Sequence, residues 1–202
     1  MKKALIVAAG TVEGAKPSGK YDFIIAADGG YDKAIALNLK PDVFIGDMDS
    51  VSADVSEIEK IKLPVEKDFT DTEAAIEKAI ELGYNNIDII GATGTRFDHS
   101  MANACLLKKY IDTGVSIKII DTHNEIFAIN RTYIIKGRKG ETVSFLPLDS
   151  KVSGLTLNGF YYPLCNANIE IGTTLTVSNV ITDDIAKIEI KEGALLVIIA
   201  RD

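Results

Sequence analysis

The chain has no tryptophan and only two cysteines, Cys105 and Cys165, which stand far apart. That number supports neither a disulfide framework nor a cysteine zinc site. Long apolar runs are missing too: the longest, residues 194–200, has the length of a buried strand, well short of the roughly 18–20 residues that span a bilayer. The apolar stretch 4–9 behind Met1-Lys2-Lys3 leads into turn residues without a small-residue cleavage site. It reads as a first strand rather than a signal peptide, and the expectation is a soluble cytoplasmic protein with no membrane partner. Basic residues are scarce relative to acids, 22 Lys and Arg against 29 Asp and Glu, for a net charge of −7. Residues 1–130 hold 14 of the basic residues and 21 of the acids, so this stretch carries the whole excess, and residues 131–202 balance at 8 and 8. A nucleic-acid partner would meet repulsion there, whereas a divalent cation would be attracted.

What is present is ordinary for a packed chain: 202 residues, 47% hydrophobic and 25% charged, enough for one large domain or two small ones. The texture changes near residue 130. Before it, short β-rich runs (5–7, 23–25, 43–45, 87–90, 117–120) alternate with helical patterns at 31–39, 53–61, 71–82 and 99–111. The runs are apolar on both faces, as in a parallel sheet covered by helices. After it, strands are expected at 133–135, 142–146, 152–157, 174–177, 186–190 and 195–199, punctuated by glycines and without helical periodicity. The expected architecture is α/β plus all-β, a Rossmann-like parallel-sheet domain over 1–130 and a small antiparallel β-sandwich over 131–202.

Acidic residues cluster where strands of the first domain end or helices begin: Asp28-Gly29-Gly30, Gly46-Asp47-Met48-Asp49-Ser50, Lys67-Asp68-Phe69-Thr70-Asp71-Thr72-Glu73 and Gly91-Ala92-Thr93-Gly94-Thr95-Arg96-Phe97-Asp98-His99. Singly, each has a structural reading: a turn at Asp28, a capping box from Thr70 to Glu73, a helix cap at Asp98. In a parallel sheet, however, such loops meet beyond the carboxyl ends of the strands, bringing Asp28, Asp47, Asp49, Asp71 and Asp98 together. At about 5 Å and an effective dielectric of about 20, each like pair costs roughly 3 kcal/mol. A hard cation such as Mg²⁺ removes that penalty. The 91–96 loop suits an anion: glycines expose backbone N–H groups, a helix follows, and Arg96, the only arginine in the first 130 residues, adds a planar fork. These residues point to a nucleotide or phosphate site with Mg²⁺.

In this order the motifs resemble the thiamine pyrophosphokinase family. The likeness continues through Gly159-Phe160-Tyr161-Tyr162-Pro163-Leu164, Ser178-Asn179 and Gly193-x-Leu195-Leu196-Val197, and departs at Gly10-Thr11-Val12-Glu13 and at Tyr162, where the family often has Asn-Gly and Trp. The resemblance implies transfer of the pyrophosphoryl group of ATP to the hydroxyethyl oxygen of thiamine, with AMP released. It implies Mg²⁺ on Asp47, Asp49 and Asp71, and ATP contacts from Asp28, Gly29, Gly91, Thr93, Gly94, Thr95, Arg96 and His99. Either Asp71 or Asp98 would orient the hydroxyl and take its proton. Thiamine would stack on Tyr162 or Tyr161 and bond to Ser178 and Asn179, in a homodimer whose sites are shared between subunits. Two other readings stay open: a phosphohydrolase with Asp47 as nucleophile, and a nucleotide-binding sensor without turnover.

Overall fold

The computed structural model describes residues 2–17, 19–47, 51, 58–64 and 66–201. It forms two compact units, Met1–Leu106 with Asp112–Thr122, and Leu107–Ile111 with His123–Asp202.

The first unit contains β1 (Lys3–Val7), β2 (Phe23–Ala27), α1 (Gly30–Ala36), β3 (Val43–Gly46), β4 (Glu59–Lys62), α2 (Asp71–Glu81), β5 (Asn86–Ile90), α3 (Phe97–Leu106) and β6 (Ser116–Ile120). Its strands lie in the order β6-β5-β1-β2-β3-β4, every pair parallel. From β1 the chain builds one edge through β4, then returns to β1's other side with β5. The strand order therefore reverses between β1 and β5, the place where open α/β sheets leave a crevice. Leu5, Ile6 and Val7 are fully buried, as a central strand covered on both faces requires. One charge breaks that apolar rule. Asp88 of β5 is 2% exposed, but accepts from the Tyr21 hydroxyl at 2.6 Å and pairs with Lys3 Nζ at 2.8 Å, so its burial is compensated. Burial, followed by this bond to Asp88, pushes the Tyr21 hydroxyl pKa up.

Helix α2 begins as its sequence predicts. Thr70 is the N-cap, with the Glu73 N–H donating to its Oγ1 at 3.2 Å, and Ala75, Ile76 and Ala79 form the buried face. The helix expected at 53–61 is corrected. Residues 59–61 are strand β4, paired parallel to β3; 52–57 lie outside the described residues. This edge strand exposes Glu59, Lys60 and Lys62, so it lacks the apolar signature of its buried neighbours. Helix α3 starts earlier than expected and gives way after Leu106 to a 3₁₀ turn, Leu107–Tyr110.

The second unit contains β7 (Asn124–Ile129), β8 (Tyr133–Lys136), β9 (Thr142–Pro147), β10 (Lys151–Asn158), β11 (Leu164–Glu170), β12 (Asn179–Val180), β13 (Ile185–Glu189) and β14 (Leu195–Ala200). Two antiparallel sheets, β12-β9-β14-β7 and β11-β10-β13-β8, enclose one core that includes Phe127, Phe145, Val152, Leu155, Ile188 and Val197. Within it Phe145 and Phe160 meet edge to face at 5.4 Å. The sandwich is therefore present, with three differences in its strands. β7 begins before residue 130 and pairs along its length with β14. β11 exposes most of its side chains and pairs with β10 through register shifts, so it shows no apolar alternation. Residues 174–177 are not a strand: Thr176 bonds to Phe145 through both its carbonyl and its hydroxyl, and Ser178 then turns at φ 58°. Among the described residues no helix is long and apolar enough to cross a membrane.

Candidate active site

A cleft of about 340 Å³ opens beyond the carboxyl ends of β1, β2 and β5, at the reversal in strand order. Ala8, Ala9 and Gly10 line it behind β1, Asp28 behind β2, the 91–96 loop behind β5, and Thr70, Asp71 and Thr72 at the start of α2. His99, Ser100 and Asn103 of α3 close the remaining wall. The loops behind β1 and β5 are fastened by main-chain bonds, Gly10 N–H to Gly91 O at 2.8 Å and Thr11 N–H to Thr93 O at 2.7 Å. Glycine is obligatory at this seam: a Cβ on Gly10 would lie 2.3 Å from Thr93 O, and one on Gly91, whose φ is +69°, 2.3 Å from Ala8 O. Thr93 Oγ1 donates to Asp121 Oδ2 at 3.1 Å. Asp28 occupies the left-handed region at φ 51°, a strained conformation of the kind that gathers at functional sites.

The acids converge only in part. Asp28 and Asp71 line the cleft. Asp71 opens α2, where its negative charge favours the helix N-terminus. Its Oδ1 is buried and accepts no hydrogen bond; Lys67 Nζ lies 3.2 Å away, an ion pair without hydrogen-bond alignment. Asp98 does not line the cleft. It binds the Arg96 fork, Nη2 to Oδ2 at 2.6 Å and Nε to Oδ1 at 3.3 Å, with both side chains largely exposed. The hydrogen bond from Arg96 holds the Asp98 carboxyl below its usual range, and the same pair raises the guanidinium pKa. The Arg96 fork thus rests on a neighbouring carboxylate. Asp47 follows β3 but is not a lining residue, Gly29 serves as the N-cap of α1 instead, and Asp49 lies outside the described residues. Among the described residues no three His, Cys, Asp or Glu side chains are grouped to hold a metal ion.

In the second unit, Tyr161 and Tyr162 are 65% and 59% exposed, with ring centroids 4.8 Å apart and planes nearly perpendicular. Asn179, by contrast, is 3% exposed. Its Oδ1 accepts from the Tyr162 and Val180 N–H groups, both at 2.9 Å, and its Nδ2 donates to Tyr162 O at 2.8 Å. Both acceptor lone pairs are therefore committed inside the unit, where Asn179 supports the Tyr162 backbone. Ser178 N–H donates to Ser144 Oγ at 3.0 Å, and the residue is exposed. Both cysteines are exposed.

The catalytic-domain model of thiamin pyrophosphokinase matches residues 17–119, and the model of its vitamin B1 binding domain matches 131–195. The chain belongs to the thiamin pyrophosphokinase family. It is 33% identical over 186 residues to the thiamine pyrophosphokinase of Bacillus subtilis (strain 168), covering 88% of this chain and 87% of that one. The crystal structure of thiamine pyrophosphokinase from Bacillus subtilis superposes with a TM-score of 0.89 at 30% identity, covering 100% of both chains. Thiamin pyrophosphokinase from Geobacillus thermodenitrificans gives 0.86 at 31% identity, over 99% and 98%. The thiamin pyrophosphokinase from Candida albicans, 18% identical with a TM-score of 0.81 over 99% and 90% of the two chains, shares the fold. Two polar lining residues of this family member's cleft, Ser100 and Asn103, stood outside every motif read from the sequence. Their signal was present, because both follow the glycine loop on the first turns of α3, but small polar residues on a helix carry no charge to draw notice.

Proposed function

We propose that this enzyme transfers the pyrophosphoryl group of ATP to thiamine, giving thiamine diphosphate and AMP, and that the cleft at the β1–β5 reversal holds the ATP. One observation carries the reading: in a chain matched by both family modules, that cleft joins a glycine loop, an arginine and the carboxylate of Asp71 with its buried Oδ1. The thiamine hydroxyl oxygen attacks the β-phosphorus, the bond from that phosphorus to the α–β bridging oxygen breaks, and AMP leaves. The 91–95 loop, through backbone N–H groups other than that of Gly94, and Arg96 hold phosphate oxygens, with Asp28, Gly29 and His99 around them. Arg96 exchanges Asp98 for phosphate as ATP arrives, which lifts the hydrogen bond that holds the Asp98 carboxyl low, and either Asp71 or Asp98 orients the hydroxyl and receives its proton.

The buried Asp71 oxygen, a hard donor with no hydrogen bond of its own, fits a divalent cation. Mg²⁺ held by Asp71 with Asp47 and Asp49 would neutralise polyphosphate charge. Tyr162, or Tyr161 beside it, offers a ring face to the cationic vitamin, Ser178 a hydroxyl, and Asn179 the support beneath them. The functional form is a cytoplasmic homodimer, each site combining the cleft of one subunit with the tyrosine segment of the other, and a net charge of −7 disfavours nucleic acid as a partner. The hydrolase reading is not favoured: the relatives are thiamine pyrophosphokinases. Incubation with Mg-ATP, with and without thiamine, tests the proposal. AMP formed only with thiamine is the expected result; inorganic phosphate formed without thiamine indicates the hydrolase, and no product indicates the sensor.

A further inference from the structure

We infer that Ser100 and Asn103 are positioning residues that set which edge of the 91–96 loop the phosphates meet. This inference rests on the reading of the cleft as the ATP site. The two residues are three apart on α3, hence on one face of the helix, and both line the cleft. Asn103, 9% exposed, donates its Nδ2 to Ala92 O at 2.8 Å. The Ser100 hydroxyl accepts from Gly94 N–H at 3.0 Å and donates to Arg96 O at 3.1 Å. With Gly10 on Gly91 O and Thr11 on Thr93 O, the carbonyls of residues 91, 92, 93 and 96 all have donors in the protein.

A carbonyl oxygen repels an anion and an N–H attracts it. Across a trans peptide the two point in opposite directions, and none of the described peptides is cis. Fixing Gly91 O and Ala92 O therefore fixes the direction of the Ala92 and Thr93 N–H groups. A glycine-rich loop is otherwise free to flip such a peptide, which would present an oxygen where an N–H is needed. Ser100 acts at the other end. It closes the segment from Gly94 to Arg96, both lining residues, into a loop. Because Ser100 takes the Gly94 N–H, that amide serves the loop rather than the ligand.

The test uses the full-length chain and three variants, Ser100→Ala, Ser100→Thr and Asn103→Ala, with inorganic pyrophosphate as the binding probe in calorimetry and the KM for thiamine as control. Ser100→Ala and Asn103→Ala are each expected to weaken pyrophosphate binding by about three- to tenfold, the span of one lost hydrogen bond. The thiamine KM should stay within about twofold of wild type, and Ser100→Thr, which keeps the hydroxyl, should bind like wild type. Should Asn103→Ala fail to fold, the half-buried Ser100 pair still decides the matter. Unchanged pyrophosphate binding in folded Ser100→Ala overturns the inference, as does an equal loss in Ser100→Thr, or a parallel rise in the thiamine KM. Failure of the underlying reading looks different: wild type then binds pyrophosphate but releases no AMP from ATP and thiamine.

Discussion

The two units hold the segments proposed to meet ligands by opposite means. In the first, the loops behind β1 and β5 are joined backbone to backbone, through Gly10 and Gly91 and through Thr11 and Thr93, with no room for an added methyl group. In the second, two exposed tyrosines rest on one buried side chain, Asn179, which holds the N–H and the carbonyl of Tyr162. A backbone seam fixes a small concave space for phosphates, whose recognition needs N–H groups and charge. A side-chain latch presents broad aromatic surface, which suits the flat cationic ring system proposed to meet it. The first design is intolerant of added atoms, and the second of lost ones.

The largest effect separates the chemistry of the cleft from its construction. Asp71→Asn should lower kcat/KM by on the order of a thousandfold while circular dichroism reports an intact fold. Activity within about tenfold of wild type would remove Asp71 from the reaction. The next change strikes the seam itself. Gly91→Ala meets both a positive φ and a backbone oxygen at 2.3 Å, whereas Gly172→Ala in the second unit meets a positive φ with nothing within 4 Å. Chemical denaturation should show a loss of about 3 kcal/mol or more for the first and about 1 kcal/mol for the second. Equal losses would mean that the seam relaxes. A smaller effect tests the latch. Asn179→Ala removes three hydrogen bonds and is expected to raise the thiamine KM about tenfold, with the ATP KM unchanged. A rise in both constants would make Asn179 a general support of the fold.

Much of this contrast was legible in the sequence, and its limits have physical causes. The buried strands of the first unit declared themselves by apolar residues on both faces, and α2 by its Thr70 cap and the spacing of Ala75, Ile76 and Ala79. β4 did not, because an edge strand carrying Glu59, Lys60 and Lys62 outward looks like a solvated helix. β11 hid for the same reason, with polar side chains exposed along a bulged strand. Of the site, the glycine loop, Asp28 and Asp71 were readable from composition at strand ends. The pairing of Arg96 with Asp98 was not, since two residues separated by one position in sequence give no sign of where their side chains turn. The role of Asn179 was equally hidden. A motif identifies an asparagine near a ligand, but only burial and bond partners reveal that its amide faces inward.

The division of labour between the units is the central claim, and one paired kinetic measurement tests it most directly. KM values for ATP and for thiamine should be determined for wild type, Arg96→Lys and Tyr162→Ala. Arg96→Lys keeps the charge but loses the planar fork, so the ATP KM should rise about tenfold, equivalent to about 1.4 kcal/mol, with the thiamine KM unchanged. Tyr162→Ala should raise the thiamine KM by a similar factor and leave the ATP KM alone. If either variant raises both constants equally, ATP and thiamine do not divide between the two units, and the account is contradicted.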